Sequence, residues 1–421
     1  MLRTDVRAHE MADTAPFQFL ARLGVAMAGA NYPVTFIRAM LARASSAYGM
    51  RAEVIALPNN VQILGPSGAT GTPVTSASLT ASLRFDQTFP LARLVSDAMN
   101  GRVSPARGEA LLDGILLARR PYPAWVTVLG YGVFSTGLAL VMEPTAVNLA
   151  AAAVLGLLVG SLLTVSERIP LFGQLAPVLS AVLVAALCIV GAQYLELDHV
   201  GLRALIPPLA VFLPGVAITI SVIELTANDL VSGASRLIAG FIQLAQLAFG
   251  ILIAGHLLGL EEGQLTADAV NKLGPWAPWL GVGVYVVGVM LFLAPPLTFL
   301  PWLALMSYIA YAAQYLGDLL LGSYTSGFFG ALALTLSALL VGRLPQAPPA
   351  IAMVLPGFWL LVPGSLGLIG VAELFGADGD SALGATLISL ISIALGVQAG
   401  VVIWQLARPR RRTDPPGHAG R

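Results

Sequence analysis

The chain has 421 residues, of which 57% are hydrophobic and only 10% charged, too little polar surface for a soluble globule of that length. The formal net charge is zero, which argues against the basic footprint of a nucleic-acid binder, and a single cysteine excludes an intrachain disulfide. What remains is a membrane protein of uneven composition: charge is ordinary to about residue 120 and sparse from Trp125 to Leu406.

Met1–Phe17 lacks the apolar core of a secretory signal, so residues 1–120 are expected to form a small cytoplasmic α+β domain. Leu20, Leu23, Gly24 and Met27, then Val34, Ile37, Met40 and Leu41, recur at helical spacing, with Pro33 suited to a helix first turn. Glu53–Leu57 and Val61–Leu64 flank Pro58-Asn59-Asn60 as a hairpin. Leu79, Ala81, Leu83 and Phe85 alternate with polar residues as a half-buried strand would. Two helices close the domain, the second capped by Ser104 ahead of Pro105 and carrying Leu111, Leu112, Ile115 and Leu116 on one face. The Gly-rich run Gly65–Gly71 lacks the Gly-Lys-Ser/Thr ending of a phosphate loop and reads as a plain loop. No ATPase signature is present, so transport energy would come from a gradient.

A spanning helix needs about 20 apolar residues. Ten stretches qualify: roughly 124–142, 146–165, 172–193, 204–223, 233–258, 278–294, 297–316, 326–342, 349–372 and 384–406. An even count puts both ends on one side. Arg119, Arg120, Arg168, Arg236, Arg343, Arg408, Arg410, Arg411 and Arg412 fall on that side, and the acidic loops around Glu196, Glu261 and Asp378 on the other, so both termini are expected to be cytoplasmic. Trp125, Trp276, Trp279, Trp359 and Trp404 suit interfacial anchors, and the basic tail 408–421 suits anionic lipid. Gly156 with Gly160, and Gly396 with Gly400, are spaced for close helix packing.

Two of these stretches carry the same pattern. Pro207 is followed by six residues, Pro214-Gly215, eight residues and Glu224-Leu225; Pro356 is followed by six residues, Pro363-Gly364, eight residues and Glu373-Leu374. They are the fourth and ninth spans, so the copies run in opposite directions, as in a transporter of two inverted five-helix repeats, 121–260 and 261–407. Tyr122-Pro123-Ala124-Trp125 at the first span and Trp276-Ala277-Pro278-Trp279 at the sixth match in the same sense. The plain alternative is coincidence, since Pro and Gly are common in membrane helices.

Proline removes a backbone donor and glycine relaxes φ, so each Pro-Gly is expected to split its span into half-helices near the midplane. The second half-helices begin at Pro214 and Pro363, and the free amides of Gly215, Val216, Gly364 and Ser365 with the positive dipole ends would favour a substrate carboxylate. Thr219, Ser221 and Ser365 could add hydroxyl contacts or bond back to their own helices. Glu224 and Glu373 are candidates for neutralising a substrate amine, carrying a coupling proton or gating, against a solvated helix end. Asp229 and Arg236 read as coupling or gating residues, or as a simple pair at the membrane boundary; His256 and Asp318 sit near outer span ends, where they could titrate or mark the interface.

The sequence resembles the threonine/serine exporter family of bacterial inner-membrane proteins. The resemblance lies in Arg22-Leu23-Gly24 with Ala28-Gly29-Ala30, Gly101 through Ser104-Pro105 to Leu111-Leu112-Asp113-Gly114-Ile115, Tyr122-Pro123-Ala124-Trp125, and Leu213-Pro214-Gly215 through Asp229, Ser232-Gly233 and Arg236. It implies a cytoplasmic domain joined to about ten spans, exporting small hydroxy amino acids by exchange with protons. No cofactor is implied. Partners would be the amino-acid substrate, protons and membrane lipid, with no nucleic acid, and oligomeric state is left open, a homo-oligomer included. Related two-chain systems imply the alternative of dicarboxylate export. The second copy departs after Glu373, where Asp378 and Asp380 replace a basic Ser-Gly-to-Arg block. A membrane-anchored hydrolase is the alternative from another class. Residues 15–118 offer only acidic and hydroxyl groups such as Asp86, Asp97, Asp113, Ser67 and Thr70, with no histidine or cysteine to activate a nucleophile.

Overall fold

The computed structural model describes residues 2–65, 74–78, 82–142, 144–194, 200–259, 265–266, 271–344, 347–348, 350–361 and 379–407. The N-terminal unit begins with helix α1 (Leu2–Gly29), which stops at a left-handed Asn31 (φ 61°). Pro33 then holds the cap position of α2 (Val34–Ala47). An antiparallel sheet follows in the order β1-β2-β3, Glu53–Leu57, Asn60–Leu64 and Val74–Ser78, with Leu57 opposite Asn60 across the hairpin turn. Helices α3 (Phe85–Met99) and α4 (Pro105–Leu116) complete the unit. Phe19, Leu20, Leu23, Met27, Ile37, Leu41, Val61, Ile63, Leu91 and Leu112 form its apolar core. Arg22 of α1 reaches Glu109 and Asp113 of α4, and Gln87 Nε2 of α3 donates to Ile115 O at 2.8 Å, so the helices are also tied by polar bonds.

Three local expectations fail here. The strand lies at Val74–Ser78, and Phe85 opens α3 with Arg84 as its cap residue, because Asp86 and Gln87 pair with Arg84 and nucleate a helix; Leu79 and Ala81 lie outside the described residues. Ser104 stands at the cap position of α4, but its hydroxyl makes no capping bond. On α4 only Leu112 and Ile115 are buried, with Gly108, while Leu111 and Leu116 face outward.

The apolar part runs as α5 (Ala124–Met142), α6 (Ala146–Ser166), α7 (Pro170–Tyr194), α8 (Leu202–Leu209) with a 3-10 turn Ala210–Phe212, α9 (Gly215–Thr226), α10 (Leu230–Leu257), α11 (Ala277–Phe292), α12 (Leu300–Leu321), α13 (Ser323–Val341), α14 (Ala350–Leu360) and α15 (Gly379–Leu406). Among the described residues, α5, α6, Phe172–Tyr194 of α7, and α10 are long and apolar enough to cross a membrane. Ala204–Phe212 with Gly215–Thr226 makes one bent pair, giving up to 5 such spans, and Ala277–Phe292, Thr325–Val341 and Ile391–Leu406 are shorter apolar helices. The protein is a multi-pass membrane protein.

The centre of the bundle is the pair α5 and α11. Gly130 faces Leu291, Gly137 faces Tyr285 and Gly281 faces Leu140, so position numbers fall on one helix as they rise on the other and the pair is antiparallel. A methyl at Gly288 would stand 2.3 Å from Phe134 N, and one at Gly137 2.4 Å from Tyr285 N; only glycine permits this approach. Gly156 and Gly160 seat α6 on Ser135 and Tyr131 of α5, and Gly396 and Gly400 seat α15 on Phe328 and Thr335 of α13, as their spacing suggested. Trp359 is half-buried, its ring edge-on to Phe134 at 6.5 Å, whereas Trp125 and Trp276 are exposed. The N-terminal unit rests on this bundle through Phe85 and Phe89, whose rings lie 6.1 and 4.6 Å from Phe299 in the turn before α12.

Candidate functional site

The bent pair is where backbone is set free inside the apolar bundle. Pro207 and Pro208 remove two donors from α8, the chain tightens into the 3-10 turn, Leu213 goes extended (ψ 123°), and Pro214 precedes α9, whose axis departs by 62°. Gly215 is not among the positive-φ glycines, so proline and the extended Leu213, not a left-handed glycine, make the break. Carbonyls released at such a break need partners, because a membrane interior supplies no water. Two neighbouring helices supply them. Tyr131 of α5 donates to Pro208 O at 2.8 Å and accepts from Val211 N at 3.3 Å, and Gln243 of α10 donates through Nε2 to Phe212 O at 2.7 Å.

At the start of α9 the first helical bond runs from Ile218 N to Pro214 O at 2.9 Å, leaving the amides of Gly215, Val216 and Ala217 ahead of it. One turn on, Thr219 is buried and its Oγ1 has no hydrogen-bond partner, whereas Ser221 Oγ bonds back to Ile218 O at 2.6 Å. An orphan hydroxyl in a packed core is costly, which sets Thr219 apart from Ser221.

Glu224 lies about 13 Å further along α9 than Gly215, at a rise of 1.5 Å per residue. It is neither a solvated helix end nor close to the break: it is 0% exposed, its Oε1 accepts the amide of Val34 at 3.0 Å, and its Oε2 lies 3.3 Å from Arg236 Nε. Val34 is the first residue of α2, so a carboxylate of the apolar bundle caps a helix of the N-terminal unit. The turn after α9 uses a left-handed Asn228 (φ 65°), and Asp229 N returns to Glu224 O at 2.8 Å. Buried Ser232 and Gly233 then let α10 close on α9, since a methyl at Gly233 would stand 2.9 Å from Ser221 O. Arg236, one turn beyond Gly233, is thereby brought to Glu224. Asp229 and Arg236 do not pair: Asp229 binds Arg38 of α2 at 2.5 Å, and Arg236 turns to Glu224.

In the second copy, Tyr285 of α11 donates to Pro356 O of α14 at 2.6 Å. Tyr131 and Tyr285 are both fully buried, and the step from Trp125 to Tyr131 equals that from Trp279 to Tyr285. Pro363, Gly364, Ser365 and Glu373 lie outside the described residues. His256 and Asp318 are exposed at helix ends.

Residues 18–258, more than half of the chain and including the break, Glu224 and Arg236, match the family described as "Putative threonine/serine exporter". The chain belongs to that family. Among curated relatives of this exporter-family chain, the "Probable threonine/serine exporter" of Mycobacterium tuberculosis is 26% identical over 390 residues, covering 87% of this chain and 72% of the relative. "Pheromone-regulated membrane protein 10" of Saccharomyces cerevisiae is 30% identical over 217 residues, 49% of this chain and 55% of the relative, and its Candida glabrata namesake is 25% identical over 322 residues, 70% and 40%. The chain thus spans about half or less of the length of these yeast relatives. No solved structure matches it.

Sequence reasoning missed Tyr131, Tyr285, Gln243, Arg38 and the Val34 amide. The two tyrosines carried a readable signal, an equal step after Trp125 and Trp279. The others are partners across long sequence gaps, and only the packing of α2 and α10 reveals them.

Proposed function

We propose that this exporter-family chain is a secondary active exporter of small amino acids, threonine and serine, working by antiport with protons in a bacterial inner membrane. Residues 1–120 form a cytoplasmic domain, 121–260 and 261–407 form inverted five-helix halves with ten spans in all, and 408–421 form a cytoplasmic tail. The antiparallel α5–α11 pair supports the two halves, as do the buried bonds Tyr131 to Pro208 and Tyr285 to Pro356, which fall one position apart because Pro356 corresponds to Pro207. The substrate carboxylate binds at half-helix N-termini near the midplane, where Pro214 and Pro363 open the half-helices, on the amides of Gly215 and Val216 with the Thr219 hydroxyl, and at Gly364 and Ser365. Ser221, whose hydroxyl is bonded to Ile218 O, lines this helix without a free donor. Glu224, Asp229, Arg236 and Glu373 act in coupling or gating.

The observation that carries this reading is the break itself: α9 begins inside the apolar bundle at a 62° bend, with an unpartnered buried hydroxyl one turn on. A second cargo class, dicarboxylates such as succinate, is favoured by one fact. Glu224 stands well away from Gly215 and is engaged by Arg236, so it does not supply an acidic partner for a substrate amine at the break.

The experiment is efflux of labelled threonine, serine and succinate from liposomes containing the purified protein, with and without an imposed pH gradient. Gradient-dependent movement of threonine or serine is expected. Movement of succinate alone would change the cargo and keep the machine, and a protein that moves none of the three would overturn the exporter reading.

A further inference from the structure

Four charges meet where the N-terminal unit rests on the turn between α9 and α10. Glu224 is wholly buried, and its Oε1 is taken by the Val34 amide. Its Oε2 faces Arg236 Nε at 3.3 Å, yet Oε2, Nε and Nη2 are all shut away from solvent without a hydrogen-bond partner. A buried carboxylate and guanidinium are stabilising only when their remaining donors and acceptors are satisfied, and here they are not. What is left open is an acceptor on Glu224 beside a two-donor fork on Arg236, the fork being the geometry that receives a carboxylate. Asp229 with Arg38 closes the rim, and the four side chains sum to zero charge.

We propose that Glu224 and Arg236 form a recognition site for the zwitterionic head group of an α-amino acid, roofed by α2, which lifts to admit it. The inference rests on the exporter reading and deepens it with a substrate head-group site apart from the break. The carboxylate lies on Arg236 Nε and Nη2, and the ammonium on Glu224 Oε2. A zwitterion adds no net charge to a neutral buried cluster, whereas a dicarboxylate would bring two negative charges beside Glu224 and Asp229. Lifting α2 frees the Val34 amide from Glu224 and Arg38 from Asp229, so the closed roof lowers apparent affinity in proportion to the fraction of molecules that are open.

The test is equilibrium binding of labelled threonine to the full chain in lipid nanodiscs, against threonine amide and succinate, with efflux measured on the same variants. Threonine is expected to bind at least tenfold more tightly than either competitor. Arg38→Ala loosens the roof without touching the ligand and should tighten threonine binding about 1.4- to 5-fold, the range of a partly exposed ion pair. A purely structural role for Arg38 predicts no change or weaker binding. Arg236→Lys, which keeps the charge and loses the fork, and Glu224→Gln should each weaken binding tenfold or more; melting without ligand identifies a variant that has merely unfolded. Wild-type affinity in Arg236→Lys or in Glu224→Gln, unchanged or weaker binding in Arg38→Ala, or preference for succinate would each overturn the site. If Arg236→Lys exports threonine with an unchanged KM, the exporter reading stands and this site falls. If the wild-type protein neither binds nor moves threonine, both fall.

Discussion

Replacing Tyr131 with phenylalanine isolates what holds the broken segment in place. The ring stays, and with it the stack on Phe134 at 5.4 Å and the edge contact with Phe292 at 4.8 Å, so no cavity opens. What goes is one hydroxyl that bonds both Pro208 O and Val211 N, leaving a buried acceptor and a partly buried donor unsatisfied. A buried unsatisfied group in water-soluble proteins costs about 1–3 kcal/mol. Hydrogen bonds between membrane helices average about 0.6 kcal/mol, because the unfolded chain in the bilayer finds other partners. Two such bonds therefore place Tyr131→Phe at about 1–2 kcal/mol, and Tyr285→Phe, which loses the single bond to Pro356 O, at about half of that. The assay is reversible unfolding in mixed micelles with efflux measured in parallel, and Tyr131→Phe should also slow efflux by releasing the end of α8. A Tyr131→Phe protein as stable as wild type, or less affected than Tyr285→Phe, would refute the argument that these hydroxyls carry the freed carbonyls.

Thr219→Val keeps shape and removes a buried hydroxyl that has no partner, so stability should be unchanged or rise by up to about 1 kcal/mol while threonine efflux falls; unaltered efflux would remove Thr219 from the substrate site. Gly288→Ala should destabilise by about 1–3 kcal/mol or more, because its methyl would meet the Phe134 backbone, which cannot yield as a side chain tip can. Gly191→Ala on α7, where nothing lies within 4 Å of the added methyl, is the control and should be neutral or slightly stabilising. Equal melting temperatures for the two alanine variants would show that the α5–α11 contact tolerates separation.

What the chain writes locally was legible. Apolar length gave α5, α6, α7, α10 and α11 to within a few residues, while half of the expected ninth span lies outside the described residues. Pro214 marked the bend, because a missing donor and a fixed φ act wherever they occur. The Pro58-Asn59 turn placed the hairpin, and Gly156 with Gly160 announced a close helix pair. Local reading failed where two short-range signals competed, as at Arg84, whose bonds to Asp86 and Gln87 start a helix across an alternating pattern.

The sequence also named Glu224, Asp229 and Arg236, since an ionisable group at a span is too costly to be idle. Its simplest pairing, Asp229 with Arg236, is not the one that forms. The partners are chosen by the docking of α2, which brings the Val34 amide to Glu224 and Arg38 to Asp229 from nearly two hundred positions away. Charge alone fixes that each buried group needs a partner; which partner it finds is a matter of which backbones can approach, and that is settled by small residues such as Gly233 and by the seat of one folded unit on another.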